Sequence, residues 1–273
     1  MEIESFYNSL LVKYAFADYT IEGYKRVLSK FIKDVGTNEP TEQQIENYVA
    51  GMRKKKLSYS HVRNTTVILE KFSGFLGRTI KLGRMRRPKS IVKDILTEGE
   101  IARILGACKN SREKTIISIL AYSGIRNKEF CSLKVEDIDL DKGIIRIFDG
   151  KGNKDRLAYI SRECAKIIAD YLVEYPRSKD RFLTTALASG KQYSGWALRK
   201  RLKVVAGRAE IKKRVYPHLM RHSLASHLVS KNCSILTLMN LLGHSQLNTT
   251  QLYLRSFPQK IQAEYNYLVP NYL

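Results

Sequence analysis

YPHLMRHSLASHL, residues 216–228, sets a proline ahead of three histidines and an arginine. Pro217 suits the first turn of a helix, where its missing N–H costs no hydrogen bond. His218 and Arg221 then share one helix face, and so do His218 and His222. His-x-x-x-His spacing can hold zinc, but no Glu follows the first His and no third ligand stands nearby in sequence. No metal is expected. His227, one turn further on, reads as a core or interface residue. What such a helix could act on depends on the rest of the chain.

The 273 residues allow one large domain or two modest ones. At 44% hydrophobic the chain can bury a core, and at 27% charged it is not compositionally disordered. Its net charge is +22, from 48 Lys+Arg against 26 Asp+Glu. Solubility alone asks for a magnitude of roughly 2–8 in a small domain. The surplus points to a polyanionic partner, with nucleic acid first. Cys108, Cys131, Cys164 and Cys233 are scattered without a C-x-x-C pair, which argues for thiols in a reducing compartment. MEIESFYNSL lacks a basic start and a long apolar run, and no 18-residue apolar stretch exists. A cytoplasmic protein is expected.

Up to about residue 83 the periodicity is helical. TIEGYKRVLSKFIKDV carries Ile21, Tyr24, Val27, Leu28, Phe31 and Ile32 at i, i+3, i+4 spacing, with Thr20 as its expected N-cap. Thr41 after Pro40 starts the next helix, and residues 58–77 form another. A shorter helix is expected over Glu2–Tyr14. Arg53, Lys54, Lys55, Lys56, Arg63 and Lys71 decorate this unit. Residues 84–95 read as a linker, with Arg84, Arg86, Arg87 and Lys89 around Pro88. Over residues 84–89 its charges are all basic, which suits a segment crossing a phosphate backbone. From Leu96 a second domain begins, with a capping box of Thr97 and Glu100. SREKTIISILAYSG reads as a buried helix ending at Gly124. VEDIDL, GIIRIFD and RLAYIS read as three short β-rich runs, DGKGNKD as a hairpin tip, and the chain from Arg162 as helical. The expected class is therefore mainly α with a small antiparallel β-sheet in the C-terminal domain.

Three more pieces carry chemistry-bearing residues. SGIRNKEF, residues 123–130, taken alone is a helix junction with an i, i+3 pair of Arg126 and Glu129. GKGNKDR, residues 150–156, alone is a turn, yet it sets Lys151 at a tip that can reach outward. GHSQLNTTQLYLR, residues 243–255, puts His244 in a loop and Tyr253 about one turn into a helix that Asn248 or Thr249 can cap. Together the pieces fit metal-free, in-line attack on a phosphodiester. Arginines bind the non-bridging oxygens and neutralise transition-state charge. Lysine or histidine protonates the leaving oxygen. Tyrosine forms a covalent ester, provided that cations favour ionisation of a phenol whose free pKa is about 10.

The order SGIRNKEF, GKGNKDR, HLMRHSLASHL, LGHSQLNTTQLY resembles the tyrosine recombinase (lambda-integrase-like) family, closest to its Xer branch of bacteria and archaea. The C-terminal motifs carry the likeness; residues 1–83 resemble the family's helical core-binding domain in architecture only. The resemblance implies a two-domain clamp on DNA, with residues 96–273 as the catalytic domain. It implies Tyr253 as nucleophile, forming a 3′-phosphotyrosyl bond and releasing a 5′-hydroxyl. Arg126 and Arg221 would grip the scissile phosphate, with His218 and His244 assisting. Lys151 would be the general acid, with Lys154 a competitor for that role. Glu129 would orient the arginines. Departures are small: Ser123 stands where threonine is frequent, and Asn127-Lys128 follow the first arginine.

The resemblance further implies no cofactor, because a phosphotyrosyl link keeps the free energy needed for resealing. It implies double-stranded DNA with paired half-sites as partner, a Holliday junction and a homo-tetramer. Residues 256–273 would carry a short helix behind Pro258, with Ile261, Tyr265 and Leu268 on one face, docking on a neighbouring subunit or on its own domain. No arm-binding domain precedes residue 1 in this reading, which favours dimer resolution at a dif-like site. Integration of a small mobile element, a type IB topoisomerase-like relaxing activity and a non-catalytic architectural protein are the rivals.

Overall fold

The computed structural model describes residues 2–84, 86, 95–148, 155–185 and 191–243. The chain divides into two units, Met1–Ile91 and Val92–Leu273.

The first unit is helical. Helices α1 (Glu2–Tyr14), α2 (Asp18–Val35), α3 (Glu42–Lys54) and α4 (Tyr59–Phe75) pack around Phe6, Leu10, Leu28, Phe31, Ile45, Leu69 and Phe72, all buried. Phe6 meets Phe72 edge-on at 5.2 Å, a favoured aromatic geometry. Thr41 and Gln44 close a reciprocal capping box on α3. Helix α2 begins earlier than its periodicity suggests. Ala17 is the N-cap, without a side-chain bond, and Thr20 lies inside the first turn. Only the extended backbone of Ala17 is required there, and Asp18 supplies a negative charge where the helix dipole favours one.

The second unit is built around α6 (Ser111–Ser123). Its Ile116, Ile117, Ile119 and Leu120 are buried, and so are Thr115 and Ser118. A helix apolar on nearly every side must be enclosed. Helices α5 (Glu98–Gly106), α8 (Arg162–Glu174), α9 (Gly195–Arg208) and α10 (Pro217–Ser230) pack against it. Glu113 of α6 is buried and ion-paired with Arg201 at 2.9 Å and Arg208 at 2.5 Å, which ties α6 to α9. Thr97 and Glu100 form the expected capping box at the head of α5. The short α7 (Asn127–Ser132) follows α6, and α11 (Ile235–Leu242) rests on α10 through Ala225, Val229, Leu238 and Leu242.

The sheet joins β1 (Ile138–Asp139), β2 (Ile144–Ile147) and β3 (Arg156–Tyr159), antiparallel in that order. VEDIDL is mostly not strand: Val135–Asp137 is a 3-10 turn. The Asp137 carboxylate accepts from the Lys134 backbone N–H at 2.8 Å, and this side-chain capping competes with strand pairing. The chain after Arg162 is likewise not all helix, since Thr185 and Gln192 form an isolated antiparallel bridge. Sheet register pairs Ile145 with Ala158 and Ile147 with Arg156.

Candidate active site

The site starts at the end of α6. Gly124 caps that helix at φ +60°, a conformation costly for any residue with a Cβ. A Cβ there would come within 3.0 Å of Leu224 and 3.1 Å of Leu242. The tight turn delivers Arg126 to the N-cap of α7, with Glu129 at the third helical position. Glu129 Oε2 accepts from the Arg126 backbone N–H at 2.7 Å, and Oε1 accepts from Arg126 Nη1 at 2.5 Å. The i, i+3 pair read from sequence is thus present. Burial pushes the Glu129 carboxyl up; the Arg126 N–H, the nearby Arg156 charge and the Arg126 guanidinium outweigh it and hold the pKa below the usual value.

Helix α10 supplies the second pair. Pro217 stands in its first turn, His218 is exposed at its head, and Arg221 one turn on is only 4% exposed. Arg221 Nη1 donates to the Gly124 carbonyl at 2.7 Å, and Nη2 to the Leu242 carbonyl. His222 and His227 are half-buried. No group of three or more potential metal ligands occurs among the described residues.

Helix α11 closes the arrangement. It ends at Gly243, φ +61°. The Gly243 carbonyl accepts from Arg126 Nη2 at 2.8 Å. Arg126 and Arg221, far apart in sequence, therefore dock on consecutive carbonyls at one helix terminus. Carbonyls there lack intrahelical partners and carry the negative end of the dipole, so cations are favoured. The next residue in the chain is His244. His244, Tyr253, Lys151, Lys154 and the segment after Phe257 lie outside the described residues.

One residue of this cluster was not singled out from sequence. Arg156, on β3, donates from Nη2 to Glu129 Oε2 at 2.8 Å and from Nη1 to the Leu241 carbonyl at 3.2 Å. Its side chain is 10% exposed. The signal lay in RLAYIS. Period-2 alternation that buries Ala158 must also turn Arg156 inward, while Leu157 and Tyr159 face out.

Arg53, Lys54, Lys55, Lys56, Arg84 and Arg86 are exposed, and the Arg53 guanidinium also donates to the Gly83 carbonyl. Arg87 and Lys89 lie outside the described residues. A further basic face went unnoticed in the sequence. On α9, Arg199, Lys200 and Lys203 are exposed beside Trp196, with Lys200 Nζ 5.1 Å from the indole ring centre.

Residues 94–260 match the family model described as the phage integrase family. A tyrosine recombinase of Thermosipho africanus (strain TCF52B) is 32% identical, over 94% of this chain and 96% of its own length. Tyrosine recombinase XerA of Pyrococcus horikoshii is 31% identical, over 86% of this chain and 82% of its own. The crystal structure of XerH site-specific recombinase bound to difH substrate in a pre-cleavage complex shares the fold at a TM-score of 0.71 and 21% identity, covering 89% of this chain and 78% of that one. With the arginine pair docked ahead of His244, these matches lead to one assignment: the chain belongs to the phage integrase family of tyrosine recombinases, on its Xer side.

Proposed function

We propose that the protein is a site-specific recombinase that cuts and rejoins duplex DNA through Tyr253. The observation that carries this reading is the docking of Arg126 and Arg221 on the carbonyls of Gly243 and Leu242. Guanidiniums fixed in this way cost no reorganisation when a phosphate meets them, which is how electrostatic catalysis gains most. The Tyr253 oxygen attacks the scissile phosphorus and forms a 3′-phosphotyrosyl bond. The bond to the 5′-oxygen breaks, and Lys151 (or its neighbour Lys154) gives that oxygen its proton. His218 and His244 hydrogen-bond the phosphate and assist removal of the phenol proton. Reversal by a 5′-hydroxyl of another strand reseals the DNA, with no cofactor and no metal.

Residues 1–83 form the DNA-binding domain in this reading, residues 84–95 the linker and residues 96–273 the catalytic domain. Arg53, Lys54, Lys55, Lys56, Arg84, Arg86, Arg87 and Lys89 contact phosphates, and the exposed face of α9 adds Arg199, Lys200 and Lys203. The reaction is placed in the cytoplasm, in a homo-tetramer on paired half-sites, through a Holliday junction. The role in this reading is resolution of chromosome or plasmid dimers at a dif-like site; Xer-named relatives, and a structural neighbour described as bound to difH substrate, favour it. The description of the matching family model favours a second reading, integration of a small mobile element. Residues 258–273 dock on the neighbouring subunit; a truncation after Phe257 that still builds recombining tetramers refutes this.

The test is a nicked duplex enriched from a randomised pool by binding to the protein. The expected result is a covalent protein–DNA adduct, absent with Tyr253→Phe while binding is retained. No adduct with the unsubstituted protein overturns the reading. Relaxation of plasmids lacking the enriched site would point to a topoisomerase instead.

A further inference from the structure

Sheet alternation makes Arg156 an anomaly. On β3 the cation faces in, and the apolar Leu157 and the ring of Tyr159 face out, 44% and 47% exposed. An inward arginine carries a desolvation cost that hydrogen bonds must offset. Its two terminal nitrogens go to two targets, the Glu129 carboxylate and the Leu241 carbonyl. The neighbouring backbone is fitted to it: a Cβ on Gly243 would overlap Arg156 Cδ.

The charge count shows what this arrangement achieves. Arg126 and Glu129 alone would form a closed pair of no net charge, and a neutralised guanidinium is a poor phosphate binder. Arg156 takes a share of the same carboxylate through Oε2, while Arg126 holds Oε1. Two guanidiniums on one carboxylate leave one positive charge unspent, and the Arg126 side chain, at 22% exposed, is the more open of the two. The second bond, to Leu241, ties the hairpin strand to the last turn of α11, next to the carbonyls that hold Arg126 and Arg221.

We infer that Arg156 is a positioning residue for strand cleavage: it shares Glu129 with Arg126, which keeps Arg126 electrostatically open to the scissile phosphate, and it fixes the end of α11. The inference rests on the recombinase reading above and adds a residue that the six proposed catalytic groups do not include. Arg156 does not touch the phosphate; it acts through Glu129 and α11.

Single-turnover cleavage of the enriched nicked duplex tests this in the full chain, alongside DNA affinity and thermal melting. Arg156→Gln is expected to lower the cleavage rate constant by up to about 100-fold, the scale of a small misplacement at a reacting centre. DNA affinity should change less than about twofold, because binding is spread over many phosphate contacts. Arg156→Lys keeps the charge but not the two-way reach, and should fall between. The deciding variant is Arg156→Gln combined with Glu129→Gln. Removing the carboxylate reopens Arg126, so the double variant should cleave faster than Arg156→Gln alone. A purely structural arginine predicts the opposite order, since the double variant loses more buried bonds. Wild-type rates for Arg156→Gln, or a double variant no faster than the single one, overturn the inference. Absence of any adduct from the unsubstituted protein removes the recombinase reading and this inference with it, and is recognised by that control alone.

Discussion

Glu129 illustrates how much one carboxylate can organise. It is 7% exposed, caps α7 through a backbone N–H and pairs with two guanidiniums. Removing one partner from such a buried set leaves uncompensated charge, at about 3 kcal/mol. Glu129→Gln is therefore expected to lower stability by roughly that amount at neutral pH. The pH dependence has a definite sign. The folded-state pKa of Glu129 is depressed from 4.5, so its contribution is fully present above that value and is lost as pH falls through the lower folded value. Thermal melting should show the gap between wild type and Glu129→Gln narrowing below pH 4.5. A gap that stays constant into strong acid would mean that the charge of Glu129 does not stabilise the fold. The thiols behave differently. Burial pushes Cys131 up to about 11 and Cys164 up to about 12, and all four cysteines are free.

At the scale of elements, helix ends do most of the work. The site is made where α6 and α11 end and α7 and α10 begin, because termini expose unpaired carbonyls and N–H groups that side chains can claim. Thr41, Thr97 and Pro217 were legible in the sequence, since capping chemistry is local. Thr20 was not a cap, because two equally helical starts lay within three residues and periodicity does not choose between them. VEDIDL is strand only at Ile138–Asp139 for a related reason: the Asp137 side chain competes for the backbone ahead of it. Gly243 shows an end and a neighbour constraining each other. Gly243→Ala puts a Cβ at φ +61° and into Arg156 Cδ. The left-handed conformation alone costs about 1 kcal/mol. The variant is expected to melt lower than wild type by at least that much, and to cleave DNA more slowly because Arg156 must move. Unchanged melting and cleavage would show that Arg156 is not held against α11.

For the whole molecule, charge and length set the partner. A net charge of +22 implies extensive engagement of phosphates, and the observed binding constant of such a protein should fall steeply with salt. Lys54→Ala, Lys55→Ala and Lys56→Ala combined are expected to weaken binding to all duplexes alike and to reduce the slope of log K against log salt by about 0.9 for each phosphate left without its lysine. An unchanged slope would place those lysines away from DNA. Among the described residues no helix is long and apolar enough to cross a membrane.

The sequence by itself determined the helical character of residues 1–83, the buried α6, the antiparallel character of the small sheet and the list of candidate groups, because periodicity, capping and turn chemistry act between near neighbours. It also set Arg126 and Arg221 among the candidates for one chemistry. Only the tertiary structure decided where those arginines are anchored, that Glu129 is shared, and that Arg156 is the sharer. Those facts depend on the packing of β3, α7 and α11, whose residues lie far apart along the chain. No local rule joins Arg156 to Leu241; packing does, by bringing the inward face of a strand against the exposed carbonyls of a helix end.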